Sequence, residues 1–312
     1  MAVRGNIMKK ILLERSNKSY LPVIDAYIKY FNGKDCDFQM YDSSKLKDFH
    51  TNDFDAVWKF MGFEVFPKSD IKVIHEYASL STGMFPKIKN ELKSRMNHKP
   101  DLRVFLSVFI REGMNFKDDI DYVYRDMGVD DIFFNFQNSD KKYDCVYVGS
   151  ISKERSIHIL LDYFKYKCKN RSLLLIGEVK DDIYKNYSYC ENIIFTGKLS
   201  YEDVPKYASQ AVYGVNFMPD KYPFNIQTST KLLEYLSMGL KVITTDYFWI
   251  NNFMKENDLD LIKVDEKLEG LENLINNDER TSPKIINMEK FKWSNVIKQS
   301  LLEEKLINSI LH

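Results

Sequence analysis

Short apolar runs rich in β-branched residues recur along this chain and alternate with segments of helical period. Runs at 10–14 (KILLE), 37–41, 55–60 (DAVWKF), 71–74 (IKVI) and 104–106 predict strands in the first half. Leu21, Ile24, Ile28 and Phe31 share one face of a helix expected over 20–31. From 143 the alternation resumes, with strands over 143–148 (YDCVYV), 172–176, 192–195 and 214–217 and helices over 156–167 and 201–208. Residues 231–238 read as a helix with Leu232, Leu233 and Leu236 on its apolar side; Gly239 stops it, and 240–245 is the next strand. A strand over 259–264, a helix over 266–277, a polar loop with Pro283 and an amphipathic helix over 293–311 complete the pattern. Strands alternating with helices predict an α/β chain with parallel sheets, here in two doubly wound domains divided near 136–142.

Glycine, at 12 of 312 residues, is scarce, so its placement carries information. Gly149, Gly177 and Gly197 each follow an apolar run, which marks strand ends where backbone must approach closely. Ligands of open α/β sheets gather at that carboxyl edge.

Length and charge narrow the class further. At 312 residues each of two domains can bury its own core. The 45 basic and 45 acidic residues cancel, leaving no global field to recruit nucleic acid. Cys36, Cys145, Cys168 and Cys190 lack metal-ligand spacing and read as reduced thiols. No apolar run approaches the roughly 20 residues of a membrane span, and no secretory signal opens the chain. MAVRGNI is set aside from fold reasoning, and the expected location is cytoplasmic.

The densest chemistry lies at 222–246. Residues 223–230 form a polar turn with Asn225, Gln227, Thr228, Ser229 and Thr230, and Ser229 or Thr230 can cap the helix that follows. An exposed helix N-terminus is an anion site, through its dipole and its unpaired N–H groups. Glu234 stands one turn into the helix, where a carboxylate can accept hydrogen bonds from paired hydroxyls such as those of a ribose. Phosphate at the cap and hydroxyls one turn on describe a nucleotide diphosphate. A capped helix before a buried strand also occurs in α/β domains without any ligand.

The run KLLEYLSMGLKVITT, 231–245, resembles the donor-site signature of retaining GT-B glycosyltransferases of the family 4 type. A second motif, Val148 and Gly149 followed by SISKER to Arg155, is similar to the family's Gly-Arg-Leu-x-x-x-Lys-Gly, whose Arg and Lys hold the donor pyrophosphate. Arg155 occupies the Lys position and can bind phosphate bidentately. Ser150 replaces the usual Arg, so that charge must come from Lys153, Lys231 or the helix start. A glutamate common eight residues before Glu234 is replaced here by Ile226, leaving sugar contacts to Asn225, Gln227 and the hydroxyls of 228–230.

The resemblance implies a GT-B fold, two Rossmann-like domains facing across a cleft: 8–140 on the acceptor side, 141–290 binding the nucleotide sugar, and a helix over 291–312 crossing back to the first domain. It implies transfer, with retention, from a nucleotide diphosphate sugar to a hydroxyl of a glycan or lipid-linked glycan, in bacterial surface polysaccharide synthesis. No cofactor beyond the donor substrate is implied.

His75 resembles the family's acceptor-side histidine, and Glu76 beside it is a carboxylate for a general base. Residues 85–99 carry Lys87, Lys89, Lys93, Arg95 and Lys99 against Glu91 alone, with Phe85, Ile88, Leu92 and Met96 at helical spacing. Such a basic amphipathic helix suits anionic lipid at the inner membrane face, as it suits plain solvation. Arg111, Glu112 and Arg125 fit a cleft or ordinary ion pairing alike. The Asp-x-Asp patterns at 35–37, 53–55 and 258–260 are expected by chance in an Asp-rich chain, and no metal site is predicted. Two rival functions share the nucleotide site: a GT-B-fold sugar-nucleotide epimerase, and a catalytically silent sugar-nucleotide-binding subunit.

Overall fold

The computed structural model describes residues 8–15, 21–62, 71–136, 140–278 and 286–311; the MAVRGNI segment, the helix start expected at Tyr20 and the Pro283 loop lie outside them. Two compact units emerge: Met1–Gly128 with Phe291–His312, and Val129–Lys290. The division falls before the 136–142 segment because Val129 and Phe133 are buried, and Phe133 packs on Tyr201 of the second unit with ring centroids 5.2 Å apart.

The first unit holds strands β1 (Lys9–Glu14), β2 (Phe38–Asp42), β3 (Ala56–Phe60), β4 (Lys72–Tyr77), β5 (Leu102–Phe105) and β6 (Tyr122–Tyr124), all parallel, in the order β2-β1-β3-β4-β5-β6. Its helices are α1 (Pro22–Asn32), α2 (Pro86–Met96) and α3 (Val108–Met114). Pro22 begins α1 at a position whose N–H has no helical partner, where proline costs nothing.

In the second unit lie β7 (Tyr143–Val148), α4 (Ile157–Tyr166), β8 (Leu173–Ile176), α5 (Asp181–Tyr187), β9 (Ile193–Gly197), α6 (Val204–Ala208) and β10 (Ala211–Asn216). They are followed by α7 (Thr230–Ser237), β11 (Lys241–Thr245), α8 (Phe248–Glu256), β12 (Ile262–Val264) and α9 (Leu271–Asn276). The sheet is again parallel, ordered β12-β11-β10-β7-β8-β9. Counted within the unit this is the 3-2-1-4-5-6 Rossmann order, which reverses between β7 and β10. Every residue of β8 is buried, as a strand covered on both faces requires.

The C-terminal segment is two helices, α10 (Trp293–Gln299) and α11 (Leu302–Leu306), rather than the single helix predicted. Leu301, at φ 57°, breaks them. A continuous helix would carry Ser300 and Glu304 onto the face that Trp293 and Ile297 bury; the break resets the phase so that Leu302, Leu306 and Ile310 face inward. These residues join Tyr27, Trp58, Ile74 and Val104 in one apolar core. Trp293 lies so close over Gly128 that a Cβ there would meet the indole at 2.5 Å.

Gly214 plays a comparable part in the second unit. It sits in β10 under α7, and a Cβ would lie 2.4 Å from the Tyr235 ring. Gly214→Ala is therefore expected to push α7 off the sheet, at a cost of about 1–3 kcal/mol. A drop in melting temperature checks this; a variant as stable as the parent refutes it.

Candidate active site

The second sheet reverses order between β7 and β10, and pairing between them runs only as far as Val146 and Gly214. Beyond that point the strands diverge and backbone groups need other partners. The Val148 N–H donates to the Tyr235 hydroxyl at 2.8 Å, tying the end of β7 to α7. At the tip Gly149 and Gly177 touch: a Cβ on Gly177, at φ +150°, would fall 2.0 Å from the Gly149 carbonyl oxygen. The opening at this crossover is where ligands of open α/β sheets bind.

Around it stand the residues singled out in the sequence. Gly149 and the exposed Ser150 follow β7, and Arg155 ends a short helical turn, Lys153–Arg155. The Arg155 guanidinium lies 5.7 Å from the Phe224 ring centre, over the turn that leads into α7. Asn225 Oδ1 and Gln227 Nε2 on that turn are buried without a hydrogen-bond partner, an expensive state for polar atoms unless something else reaches them.

The Ser229 hydroxyl does not cap α7. It donates instead to Asn216 Oδ1 at 2.7 Å, and Asn216 Nδ2 in turn donates to Thr244 Oγ1 and to the Tyr247 hydroxyl, both at 2.9 Å. The predicted cap is thus a brace between β10, β11 and the helix start, and the first N–H groups of α7 have no side-chain cap.

α7 is buried all round from Lys231 to Ser237, not along a leucine stripe only. Lys231 Nζ donates to the Phe217 carbonyl at 3.2 Å and lies 4.5 Å from the Tyr147 ring centre. Burial, then the nearby Arg155 charge, push its pKa well below the ordinary lysine value, against the pull of Glu234. Burial likewise raises Glu234 to about 8, with Asp130 adding repulsion while the Tyr201 hydroxyl, donating at 3.3 Å, and Lys231 oppose the rise. An arginine, a buried lysine, an uncapped helix start and a carboxyl thus converge in one place. Sequence spacing missed Phe224, Tyr201, Asn216 and Tyr235; of these, Asn216, a polar residue in an apolar strand, was the visible signal.

In the first unit both expected catalytic residues are buried. The Glu76 carboxylate holds the Arg125 guanidinium, the Trp58 Nε1–H at 3.1 Å and the Tyr27 hydroxyl at 3.0 Å. His75 has no exposed surface, and burial with the Arg103, His98 and Lys59 charges lowers its pKa to about 3. Its ring stands edge-on to Tyr77, whose hydroxyl lies 3.4 Å from Nδ1, and its Nε2 is buried without a hydrogen-bond partner. The Arg125 and Tyr27 partners of Glu76 lie far along the chain. Asp53 and Asp55, from one Asp-x-Asp pattern, bond the backbone N–H groups of His50 and Lys10.

Comparison with known proteins follows this geometry. The family model of glycosyl transferases group 1 matches residues 142–276, within the second unit. Comparison with curated protein sequences returned no match. Among solved structures, Anabaena Alr3699/HepE in complex with UDP and glucose superposes with TM-score 0.60 at 11% identity, over 95% of each chain. AviGT4, a glycosyltransferase involved in avilamycin A biosynthesis, gives 0.57 at 10% identity over 96% of this chain and 98% of that one. Sucrose-phosphate synthase of Thermosynechococcus elongatus gives 0.58 at 11%, over 97% and 95%. The chain has the GT-B fold, with two Rossmann-like units. The family match lies in the second unit, and these neighbours share the fold of the whole chain.

Proposed function

We propose that this protein transfers a sugar, with retention of configuration, from a nucleotide diphosphate sugar to a hydroxyl of a glycan or lipid-linked glycan, without a required metal. The observation that carries the reading is the cluster of Arg155, buried Lys231, the uncapped start of α7 and Glu234 at the crossover of the second sheet. A buried lysine repelled by an arginine is stabilised when an anion arrives between them, and a diphosphate supplies that charge. Gly149, Ser150, Thr228 and Thr230 border the same place, and Asn225 and Gln227 offer their unpartnered atoms to phosphate or sugar. Glu234 takes the ribose hydroxyls. As the glycosidic bond to the donor breaks, charge grows on the departing diphosphate, and fixed cations and N–H groups stabilise it where it forms. UDP and UDP-glucose, carried by Anabaena HepE structures, are the first donors to test.

The test is thermal-shift and calorimetric titration with UDP-, GDP-, dTDP- and ADP-sugars, followed by a transfer assay. Binding of one base class with transfer to a glycan acceptor supports the reading. Conversion of the sugar without an acceptor would favour the epimerase, and tight binding with neither hydrolysis nor transfer the silent subunit.

A cytoplasmic protein working at the inner membrane face accords with α2. Met84, Phe85, Ile88, Leu92 and Met96 are all exposed there beside Lys87, Lys89 and Lys93. No helix among the described residues is long and apolar enough to cross a membrane, so contact would be peripheral. The pair Ile88→Ser and Leu92→Ser is expected to abolish co-sedimentation with phosphatidylserine vesicles while leaving UDP binding intact. Equal sedimentation of parent and variant would remove α2 from any membrane role.

A further inference from the structure

The first unit contains a cavity of about 320 Å³ between α3, the loop that follows it and the starts of β5 and β6. Its walls are Arg103 and Tyr122 from the early parts of those strands, Arg111 and Glu112 from the second half of α3, and Phe116 and Asp118 from the loop. Ligands of α/β sheets gather at the opposite, carboxyl edge. None of these residues belongs to the donor site.

We propose that this cavity binds a single neutral saccharide ring. Its volume stands at the small end of ligand sites, which run from about 300 to 1,000 Å³, so it suits one ring rather than a chain. Two guanidiniums face two carboxylates, leaving no net charge: a free anion would meet Glu112 and Asp118, and a cation would meet both arginines. Polyhydroxylated rings want donors and acceptors side by side, together with an apolar wall for their C–H faces.

The cavity supplies both. Arg103 is buried and planar against Phe116, its Cζ 3.7 Å from the ring centre, and its outer nitrogens grip the Asp118 carboxylate, Nη2 to Oδ2 at 2.9 Å. Its Nε–H is buried without a well-formed hydrogen bond, and the Tyr77 hydroxyl lies against the same guanidinium. Arg111 lies 4.2 Å over the Tyr122 ring, so a second guanidinium is already held flat on an aromatic wall. Planar groups fixed before binding lose little freedom when a ligand arrives.

The site is independent of the donor reading and stands if that reading falls. Saturation-transfer NMR on the full chain would use the methyl pyranosides of glucose, galactose, mannose and N-acetylglucosamine, with sodium phosphate as the charged control. At least one glycoside is expected to receive saturation. Arg111→Ala and Glu112→Gln, both on the exposed rim, should weaken its binding about tenfold, with the melting temperature and UDP affinity unchanged. Silence from all four glycosides overturns the proposal, as does binding unaffected by either variant. Displacement of the glycoside by phosphate or by UDP would equally overturn it, the latter by assigning the sugar to the donor site.

Discussion

Replacing Glu234 by glutamine is expected to cut UDP affinity on the order of a hundredfold at pH 8.5 and much less at pH 6.5. Hydrogen bonds to a charged acceptor contribute about 1.5–3 kcal/mol each, and a carboxylate facing two ribose hydroxyls is such an acceptor. Burial raises Glu234 to about 8, so in the free protein it is protonated below that pH and resembles the glutamine. Nucleotide favours the ionised form, so binding releases its proton, and wild-type affinity relative to the variant rises with pH up to about 8 and then levels. Stability without nucleotide moves the other way. Between its unfolded value and about 8 the folded state holds a proton that the unfolded chain has lost, so the Glu234 contribution falls as pH rises. The glutamine variant escapes that loss and should melt higher than wild type at pH 8 when UDP is absent. Calorimetry at three pH values checks the first part: a ratio constant with pH, or equal affinities at pH 8.5, would falsify the ribose assignment.

Arg125→Met is expected to destabilise the first unit by about 3–5 kcal/mol, because it strands the buried Glu76 carboxylate. The guanidinium also donates to the Tyr27 hydroxyl at 2.7 Å and lies 5.2 Å from the Trp293 ring centre, so its loss loosens β4, α1 and α10 together. Adding Glu76→Leu to the methionine variant should restore part of the stability, since replacing both members of a buried pair costs less than removing one. Urea denaturation of the single and double variants measures this. The same variants separate structure from catalysis. If Glu76 were a base after all, Glu76→Gln would lose turnover by orders of magnitude at an unchanged melting temperature; the network described here predicts lower stability and near-normal turnover per folded molecule.

Strands of both units were legible because parallel strands covered on two faces are apolar throughout, as in Leu173–Ile176. The seven-residue helices α3 and α5 left too short a period to separate from loop. At the proposed donor site, the turn and Glu234 were legible from local order, and Arg155 from the resemblance. The depth of Lys231 and Glu234 was not, since both fall off the leucine stripe, and their burial follows from packing α7 between sheet and turn. The burial of Glu76 was hidden for a related reason: Arg125 and Tyr27, which seal it, are each 49 residues away, and no local pattern announces such a partner.

The placement of α10 and α11 in the first unit has a consequence for biosynthesis. Tyr27, Trp58 and Ile74 leave the ribosome early, yet Trp293, Ile297 and Leu302, which complete their core, come from the far end of the chain. The second unit is one uninterrupted stretch between them. At translation rates of about 5–20 residues per second, the roughly 160 intervening residues leave a greasy face of the nascent chain uncovered for on the order of ten to thirty seconds. That interval makes the N-terminal half, rather than the second unit, the natural client of a co-translational chaperone.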